Sequence, residues 1–279
     1  MKLYDVTALG RPIDPAYPTN RAIAGLTLVV VVAAILAQVV GGATFLAGAS
    51  WGIGAGLAVF LTWALARELD PEHDLSAFVG AGLMVLGLFF VDLPSLLVLF
   101  WLLLTVRIVN RSTGLPARPL DTLAVLGLGG WLTWQGYWMA GLMTAVAFLL
   151  DGLLSRALRY HLLAAGLAFL ATIVVAVFHG NLAMESGLET PMVLVVGVGT
   201  VLFLFVIATS RTVKAAGDAT GEPLDPKRVQ AAQGIALLTG LLVAWWSGAS
   251  GVVAVLPLWA AGAGAALYPP LKHALSRIR

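Results

Sequence analysis

Long apolar segments alternate with short polar connections along almost the whole chain. Each is close to the length of a membrane-crossing helix, since a hydrocarbon core of roughly 30 Å needs about 20 helical residues. The predicted spans cover residues 22–40, 44–66, 75–91, 93–109, 119–134, 136–154, 162–179, 191–209, 229–246 and 252–268. The pattern predicts an all-α polytopic membrane protein with about ten transmembrane helices, arranged as five helical hairpins.

Lysine and arginine occur only in alternate connections. All sixteen basic residues lie before span one or at the far ends of spans two, four, six, eight and ten. Basic side chains are retained on the cytosolic side during insertion, so both termini are predicted to be cytosolic. The titratable residues of the opposite connections are Asp92, His179, Glu185 and Glu189.

This orientation divides the chain into three parts. Residues 1–21 form a cytosolic N-terminal segment, predicted to be irregular and to lie against the other inner connections. Residues 22–268 form the transmembrane helical domain, and residues 269–279 form a basic cytosolic tail. The tail is either disordered or an amphipathic helix on the inner leaflet, as helical spacing of three apolar residues indicates: Leu271, Leu275 and Ile278.

Composition supports the membrane assignment. The chain is 60% hydrophobic and 11% charged, too few polar residues to cover a soluble globule. Its net charge of +2 comes from basic residues spread over the connections, which indicates membrane lipids as partners and no nucleic acid. We expect a prokaryotic cytoplasmic membrane, with a homo-oligomer or a membrane complex left open.

The absence of certain residue types excludes several chemistries. With no cysteine in the chain, disulfides, thiolate metal sites and a thiol nucleophile are excluded. No ionisable residue is predicted near the middle of a span, which disfavours a proton-coupled pump. The histidines lie at span ends or in tails, where interfacial solvation is expected: His73, His161, His179 and His273.

Glycines recur at intervals of four in the second span. Gly48, Gly52 and Gly56 would lie on one helix face, where small residues let two helix backbones approach closely. A glycine-lined route for a lipid tail or a small substrate is the alternative interpretation.

Several connections share a short motif. Gly10-Arg11-Pro12-Ile13-Asp14-Pro15 is matched by Gly221-Glu222-Pro223-Leu224-Asp225-Pro226, and residues 113–121 are similar. Gly ends helices, Pro begins them and Asp caps their N-termini, which explains the likeness by local structure. A true duplication of hairpins is the other explanation.

The connection after span two is rich in carboxylates. Asp70 and Asp74 have a D-x-x-x-D spacing that would place both groups on one side of a helical turn, where they could share Mg²⁺ with a diphosphate. This motif resembles the first metal motif of intramembrane aromatic prenyltransferases. The resemblance implies Mg²⁺ as a cofactor, although Pro71 interrupts the helix and a later connection offers Asp151 and Ser155 instead of a second acidic pair. No other cofactor is predicted.

Arginines lie on the same predicted face as these carboxylates. Guanidinium groups bind phosphates and carboxylates in a bidentate manner, so a converging set could hold an anionic group. Cytosolic topology alone also explains their number. The candidate ligand-binding residues are therefore Arg67, Asp70, Asp74, Arg107, Arg111, Arg118, Arg156 and Arg159.

Two serine-containing turns lie on the opposite face. Gly248-Ala249-Ser250-Gly251 is similar to the G-x-S-G of rhomboid intramembrane proteases, and Ser50 lies in a related string. The motif follows His179 instead of preceding it, opposite to the rhomboid order. Turns of small residues explain both strings more simply.

Three functions are compatible with this sequence. Few internal charges and small-residue helices favour a permease-like or lipid-handling protein for an uncharged or amphipathic ligand. A noncatalytic structural subunit or scaffold of a membrane complex is the second possibility. The third is a Mg²⁺-dependent intramembrane prenyl or lipid transferase with its site on the cytosolic face.

Overall fold

The computed structural model describes residues 3–179 and 187–276, apart from the side chains of residues 179, 275 and 276. The expectations about five residues fall outside the described part of the chain: Lys2, Glu185, Arg277, Ile278 and Arg279. The expectations about the side chains of His179 and Leu275 also fall outside it. The helices are α1 (Leu3–Val6), α2 (Pro18–Val40), α3 (Phe45–Leu69), α4 (Ser76–Gly87), α5 (Leu96–Asn110), α6 (Pro119–Trp134), α7 (Trp138–Leu153), α8 (His161–His179), α9 (Thr190–Thr209), α10 (Pro226–Ala254) and α11 (Leu256–Ser276).

The all-helical prediction is confirmed for the described residues, which contain helices and one isolated β-bridge. A helix, α2 to α11, lies in each predicted apolar segment. Five of them, α2, α3, α8, α9 and α10, are long and apolar enough to cross a membrane. The described part of the chain therefore fits a helical membrane protein.

Helix ends follow the capping chemistry of the connecting motifs. Asp225 accepts a hydrogen bond from the backbone N–H of Lys227 at 2.9 Å, and Pro226 is the first residue of α10. At α6, Asp121 accepts a hydrogen bond from the N–H of Arg118 at 2.8 Å. These contacts satisfy N–H groups that have no partner inside a helix.

The predicted gap between spans nine and ten is much shorter in the structure. The predicted gap at residues 247–251 lies within α10, which consists of two helical stretches that meet at a kink at Gly248, with φ of 55° and ψ of −138°. Glycine adopts this backbone conformation without steric cost. α11 also continues through Pro269 and Pro270, so the described tail prolongs a helix instead of forming a separate one.

Helix packing follows chain order only in part. α2 packs against α3, α6 against α7, and α7 against α8. In contrast, α4 packs mainly against α11 and α3, whereas α9 packs against α11 and α10. Among the described residues, α4 therefore has its main contacts with α11 and α3 instead of α5, and α9 has its main contacts with α11 and α10 instead of α8.

Glycines mark the closest helix contacts. A Cβ at Gly52 would lie 2.5 Å from Ile35 Cγ1, and one at Gly56 would lie 2.3 Å from Val31 Cγ2. Gly48 likewise faces Val39 of α2. These positions let α3 approach α2 more closely than any larger residue would allow.

The contact of α4 with α11 depends on two further glycines. A Cβ at Gly264 would lie 2.4 Å from the backbone nitrogen of Gly80, and one at Gly80 would lie 3.1 Å from the carbonyl oxygen of Ala260. Because the neighbouring atoms belong to the backbone, no side-chain rotation can make room.

The core and the polar residues occupy different parts of the bundle. Ten residues of α5 are buried, among them Trp101 and Leu102, and they pack with apolar residues of α3, α7 and α10. Contacts join five polar segments at one end, which we call the polar end: residues 7–14, 67–74, 107–121, 151–161 and 210–228. The ion pairs of Glu68, Asp151 and Glu222 lie at this end.

We predict that Gly264→Ala destabilises the fold. The added methyl group collides with the backbone of α4, and overpacking of this kind typically costs about 1–3 kcal/mol. A lower thermal unfolding midpoint in mild detergent measures the effect. Gly127→Ala is the matched control, because a Cβ there meets nothing within 4 Å. Equal midpoints for the two variants would contradict the close approach of α4 and α11.

Candidate functional site

The two carboxylates of the D-x-x-x-D motif face different partners. Asp70 Oδ1 lies 3.0 Å from Nδ1 of His73, whereas Asp74 pairs with Arg67. The connection places the pair after the end of α3, where Pro71 lies in a turn instead of a helix. The structure therefore does not bring Asp70 and Asp74 together on one helix face, since α3 ends at Leu69 and Pro71, which has no backbone N–H to donate, lies in the turn that follows.

Metal-binding groups are also sparse elsewhere. Among the residues that the structure describes, no three His, Asp or Glu side chains are grouped so that they could hold a metal ion. The expected Mg²⁺ motif of the transferase interpretation thus has no supporting ligand set in the described part of the chain.

A buried carboxylate that the site prediction omitted lies two residues before Asp70. Glu68 is fully buried, and its Oε1 accepts hydrogen bonds from Arg107 Nε at 2.8 Å and from Arg11 at 3.0 Å. Its Oε2 accepts one from the side-chain amide of Asn110 at 2.9 Å. Glu68 therefore joins the end of α3 to α5 and to the N-terminal segment.

Arg11 belongs to a second ion pair. Its Nε donates to Asp218 at 2.5 Å, so this one side chain connects the N-terminal segment to the α9–α10 connection as well. Burial alone would lower the pKa of the Arg11 guanidinium, but the carboxylates of Glu68 and Asp218 raise it above its ordinary value. Arg11 thus carries its positive charge throughout the physiological pH range.

A second buried network surrounds Asp151, near the end of α7. Arg111 binds this carboxylate in a bidentate manner, with Nε and Nη2 donating at 2.9 Å, and Arg228 Nη1 donates to Oδ1 at 2.7 Å. Nδ1 of His161 lies 2.7 Å from Oδ2, and its Nε2 lies 2.9 Å from Thr122 Oγ1. The network joins α6, α7, α8 and α10 to the residue that follows α5.

The location of His161 differs from its predicted interfacial role. Its side chain is fully buried and packs edge-on against Phe148, with ring centroids 4.7 Å apart. The prediction of solvation at the interface is wrong for this residue. Asp151 and Thr122 provide the polar partners that water would provide at the surface.

The remaining predicted arginines lie in different surroundings, although Arg111 and Arg156 both line a second cavity of about 370 Å³. Arg118 donates to the backbone oxygen of Tyr4 at 3.1 Å, and Arg156 pairs with Glu222 at 2.8 Å in an exposed position. Arg159 is exposed. Arg111, in contrast, is buried at Asp151. The predicted anion-binding arginines are therefore divided between contacts that hold the structure together and contacts at the surface.

The N-terminal segment is part of the polar end. Asp121 accepts hydrogen bonds from Thr7 Oγ1 at 2.5 Å and from the N–H of Ala8 at 2.8 Å. Ala8 and Leu9 are buried, and Arg107 donates to the carbonyl oxygen of Leu9 at 2.9 Å. Residues 7–11 are therefore held in place, and the residues that follow them cover a cavity.

This cavity has a volume of about 970 Å³ and lies between α3, α5, the start of α2 and the N-terminal segment. Its charged lining residues lie at the polar end: Arg11, Asp14, Arg67, Asp74, Arg107 and Asp218. The rest of the lining includes Tyr17, Thr19 and Asn20 beside the N-terminal segment, and a larger set of apolar residues of α3 and α5, among them Leu57, Phe60, Leu61, Leu96, Phe100 and Leu103. One compartment thus combines a charged end with an apolar interior.

Helix geometry gives the depth of the cavity. Ten residues separate Leu57 from Arg67 on α3, which corresponds to about 15 Å along the helix axis. Between these limits lies Trp63, whose buried indole N–H has no hydrogen-bond partner. An unpaired buried donor costs about 1–3 kcal/mol, so this group is a candidate contact for a polar atom of a bound molecule.

Sequence reasoning missed the central residues of both networks. Glu68 belongs to the carboxylate-rich connection after span two, and Asp151 matches a second metal motif poorly. Neither is among the predicted site residues. The available signal was their position at the end of a predicted span, since Asp151 lies in the last turn of residues 136–154 and Glu68 lies two residues after residues 44–66. A carboxylate that is buried there requires a cationic partner. The sequence does not reveal which arginine provides it, because the partners are 40 to 77 residues away from Asp151.

We predict that Asp151→Asn strongly destabilises the protein. Asparagine keeps the side-chain volume but leaves Arg111 and Arg228 buried without a counter-charge, and loss of one partner from such a pair typically costs about 3–5 kcal/mol. The measurement is the free energy or the thermal midpoint of unfolding in detergent.

The control for this substitution is Glu222→Gln, which removes one carboxylate from an ion pair whose side chains are 73% and 56% exposed. Exposed pairs contribute at most about 1 kcal/mol. If both substitutions changed stability equally, the central role of Asp151 would be refuted.

The described geometry thus contains two buried ionic networks and, between α3 and α5, a cavity with a charged end. No protein family, curated protein or solved structure matches the chain. Its function is therefore inferred from the shape and lining of the cavity.

Proposed function

We propose that this chain is a lipid-handling membrane protein that binds an amphipathic ligand in the cavity between α3 and α5. The observation that carries this proposal is the division of the cavity lining into a charged end and an apolar interior. An amphipathic molecule satisfies both parts at once, because its polar group stays hydrated or paired while its chain leaves water.

The volume supports a ligand of lipid size. Cavities for small molecules commonly measure about 300–1,000 Å³, and this one, at about 970 Å³, is at the upper end. Its apolar residues extend along three turns of α3 and α5, so an extended hydrocarbon chain fits better than a compact polar metabolite.

The proposal includes a topology of ten spans with the polar end in the cytosol. Five basic connections meet at that end, which the positive-inside rule assigns to the cytosol. Both termini would then be cytosolic, and each successive pair of helices would connect as a hairpin through an outer turn, even where its two helices pack against other partners.

Some helices are shorter than a bilayer crossing. α4 has 12 residues and α5 has 15, which corresponds to about 18 and 22 Å. Non-helical backbone at membrane depth is tolerated where protein surrounds it, and the backbone N–H of Ser95 bonds to the carbonyl oxygen of Ala254 at 3.0 Å. Such contacts support a full crossing by these short helices and their flanking residues.

Lipid handling is better supported than the transferase alternative. Asp70 and Asp74 face separate partners, so the carboxylate pair that would bind Mg²⁺ and a diphosphate lacks support from their contacts. The scaffold alternative stays a prediction.

We predict that thiol labelling distinguishes the two ends. The chain contains no cysteine, so Ala219→Cys and Asp92→Cys each introduce a single thiol at an exposed position. A membrane-impermeant maleimide should label Asp92→Cys in intact cells and Ala219→Cys only after permeabilisation. Labelling of Ala219→Cys in intact cells would invert the proposed topology.

We predict that filling the cavity displaces bound lipid. Leu57→Trp combined with Leu97→Trp places two indoles in the apolar part, at positions 43% and 45% exposed. The purified variant should retain less lipid than the wild-type protein, as measured by native mass spectrometry after detergent extraction.

Leu28→Trp is the matched control, since Leu28 is 63% exposed on α2 and is not among the residues lining the cavity. Its lipid content should equal that of the wild-type protein. Equal lipid retention in the cavity variant would refute the lipid-binding proposal.

A further inference from the structure

We propose that the cavity binds a zwitterionic phospholipid, whose phosphate contacts Arg67 and whose ammonium group contacts Asp74. This inference rests on the proposed lipid-binding function and specifies the class of headgroup. The observation behind it is the juxtaposition of opposite charges at the charged end of one amphipathic cavity.

The charges that line the cavity are balanced. Three arginines and three aspartates line it, so the charged end is not a basic pocket of the kind that binds anions. A headgroup of a single sign would meet like charges as well as opposite ones. A headgroup that carries both signs can pair with each.

Two of the arginines have strong partners within the protein. Arg11 and Arg107 both bind the buried carboxylate of Glu68, at 3.0 and 2.8 Å, and Arg11 also binds Asp218. A ligand that displaced these contacts would leave Glu68 buried and unpaired, at a high energetic cost. These arginines therefore form the wall of the site and stay paired when it is occupied.

The third arginine is held much less firmly. Arg67 pairs with Asp74, and their side chains are 20% and 57% exposed. Asp74 is the exposed partner, whereas Glu68 is fully buried. Ion pairs with an exposed partner contribute little to stability, so a headgroup can separate Arg67 from Asp74 at a lower cost than Arg11 or Arg107 from Glu68. A zwitterion replaces this single pair with two, phosphate to Arg67 and ammonium to Asp74.

A headgroup that carries a single charge cannot replace the ion pair between Arg67 and Asp74 with two new pairs. An anionic phosphodiester could pair with Arg67, but Asp74 would lose its partner while facing added negative charge. A cationic headgroup would leave Arg67 unpaired in the same way. Electrostatic complementarity therefore favours the headgroup that leaves neither residue without a partner.

The position of Arg67 fits a lipid that enters along α3. Ala64 and Leu61 lie one and two turns before Arg67, and Leu57 lies about 15 Å from it along the axis. All three line the same cavity. With the phosphate at Arg67, an acyl chain would extend over these residues toward the apolar end.

The test measures headgroup preference in the full-length protein. Purified protein is reconstituted with equal amounts of phosphatidylethanolamine and phosphatidylglycerol of identical acyl chains, and bound lipid is counted by native mass spectrometry. Wild-type protein should retain phosphatidylethanolamine at least about threefold over phosphatidylglycerol, as expected for one weak ion pair. Asp74→Asn should reduce this ratio by about threefold to fivefold.

Two further variants complete the test. Asp92→Asn removes an exposed carboxylate from the α4–α5 connection and should keep the wild-type ratio. Arg67→Gln should reduce retention of both lipids, since both carry the phosphate. Because Arg67 and Asp74 are partly exposed, neither substitution is expected to unfold the protein.

The outcomes distinguish failure of the headgroup inference from failure of the lipid-binding proposal. Two results would overturn the zwitterion inference: a wild-type ratio of phosphatidylethanolamine to phosphatidylglycerol of one or lower, or a ratio that Asp74→Asn leaves unchanged. If the Leu57→Trp, Leu97→Trp variant still loses lipid in either case, lipid binding stands. If that cavity variant retains as much lipid as wild-type protein, lipid binding fails and the headgroup inference fails with it.

Discussion

The structure depends on two buried carboxylates that each hold two guanidinium groups. Glu68 and Asp151 lie near the polar ends of α3 and α7, and their partners come from the N-terminal segment, α5, the residue after α5 and α10. Burying a charge costs free energy unless the charge is paired and hydrogen-bonded. The helix ends that carry these charges must therefore lie at the same level along the bundle. That requirement positions the charged end of the cavity.

Glycine contacts provide the complementary constraint away from the polar end. Hydrophobic burial does little to draw helices together in lipid, so association there depends on close packing. Gly52 and Gly56 bring α3 against α2, and Gly80 and Gly264 bring α4 against α11. The second contact joins helices from opposite parts of the chain and explains why α4 is removed from its expected partner, α5.

The sequence predicts the helices well because each apolar segment is a local signal. Positions of Asp121 and Asp225 at helix starts also follow from local capping chemistry. The networks could not be predicted in the same way, since Arg228 and Asp151 are 77 residues apart and α8 and α9 lie between them in the chain. The spacing of Asp70 and Asp74 would place both carboxylates on one helix face only if a helix continued through Pro71, which lies in a turn.

The arrangement of the N-terminal segment has a consequence for assembly during synthesis. Residues 7–11 are made before any of their partners, and those partners follow over a long interval: Glu68, Arg107, Asp121 and Asp218. Residues 7–11 can therefore complete their contacts only late in synthesis. Until residue 218 has left the ribosome, Arg11 lacks one of its two carboxylate partners, and the wall of the cavity that Arg11 and Asp218 form is incomplete.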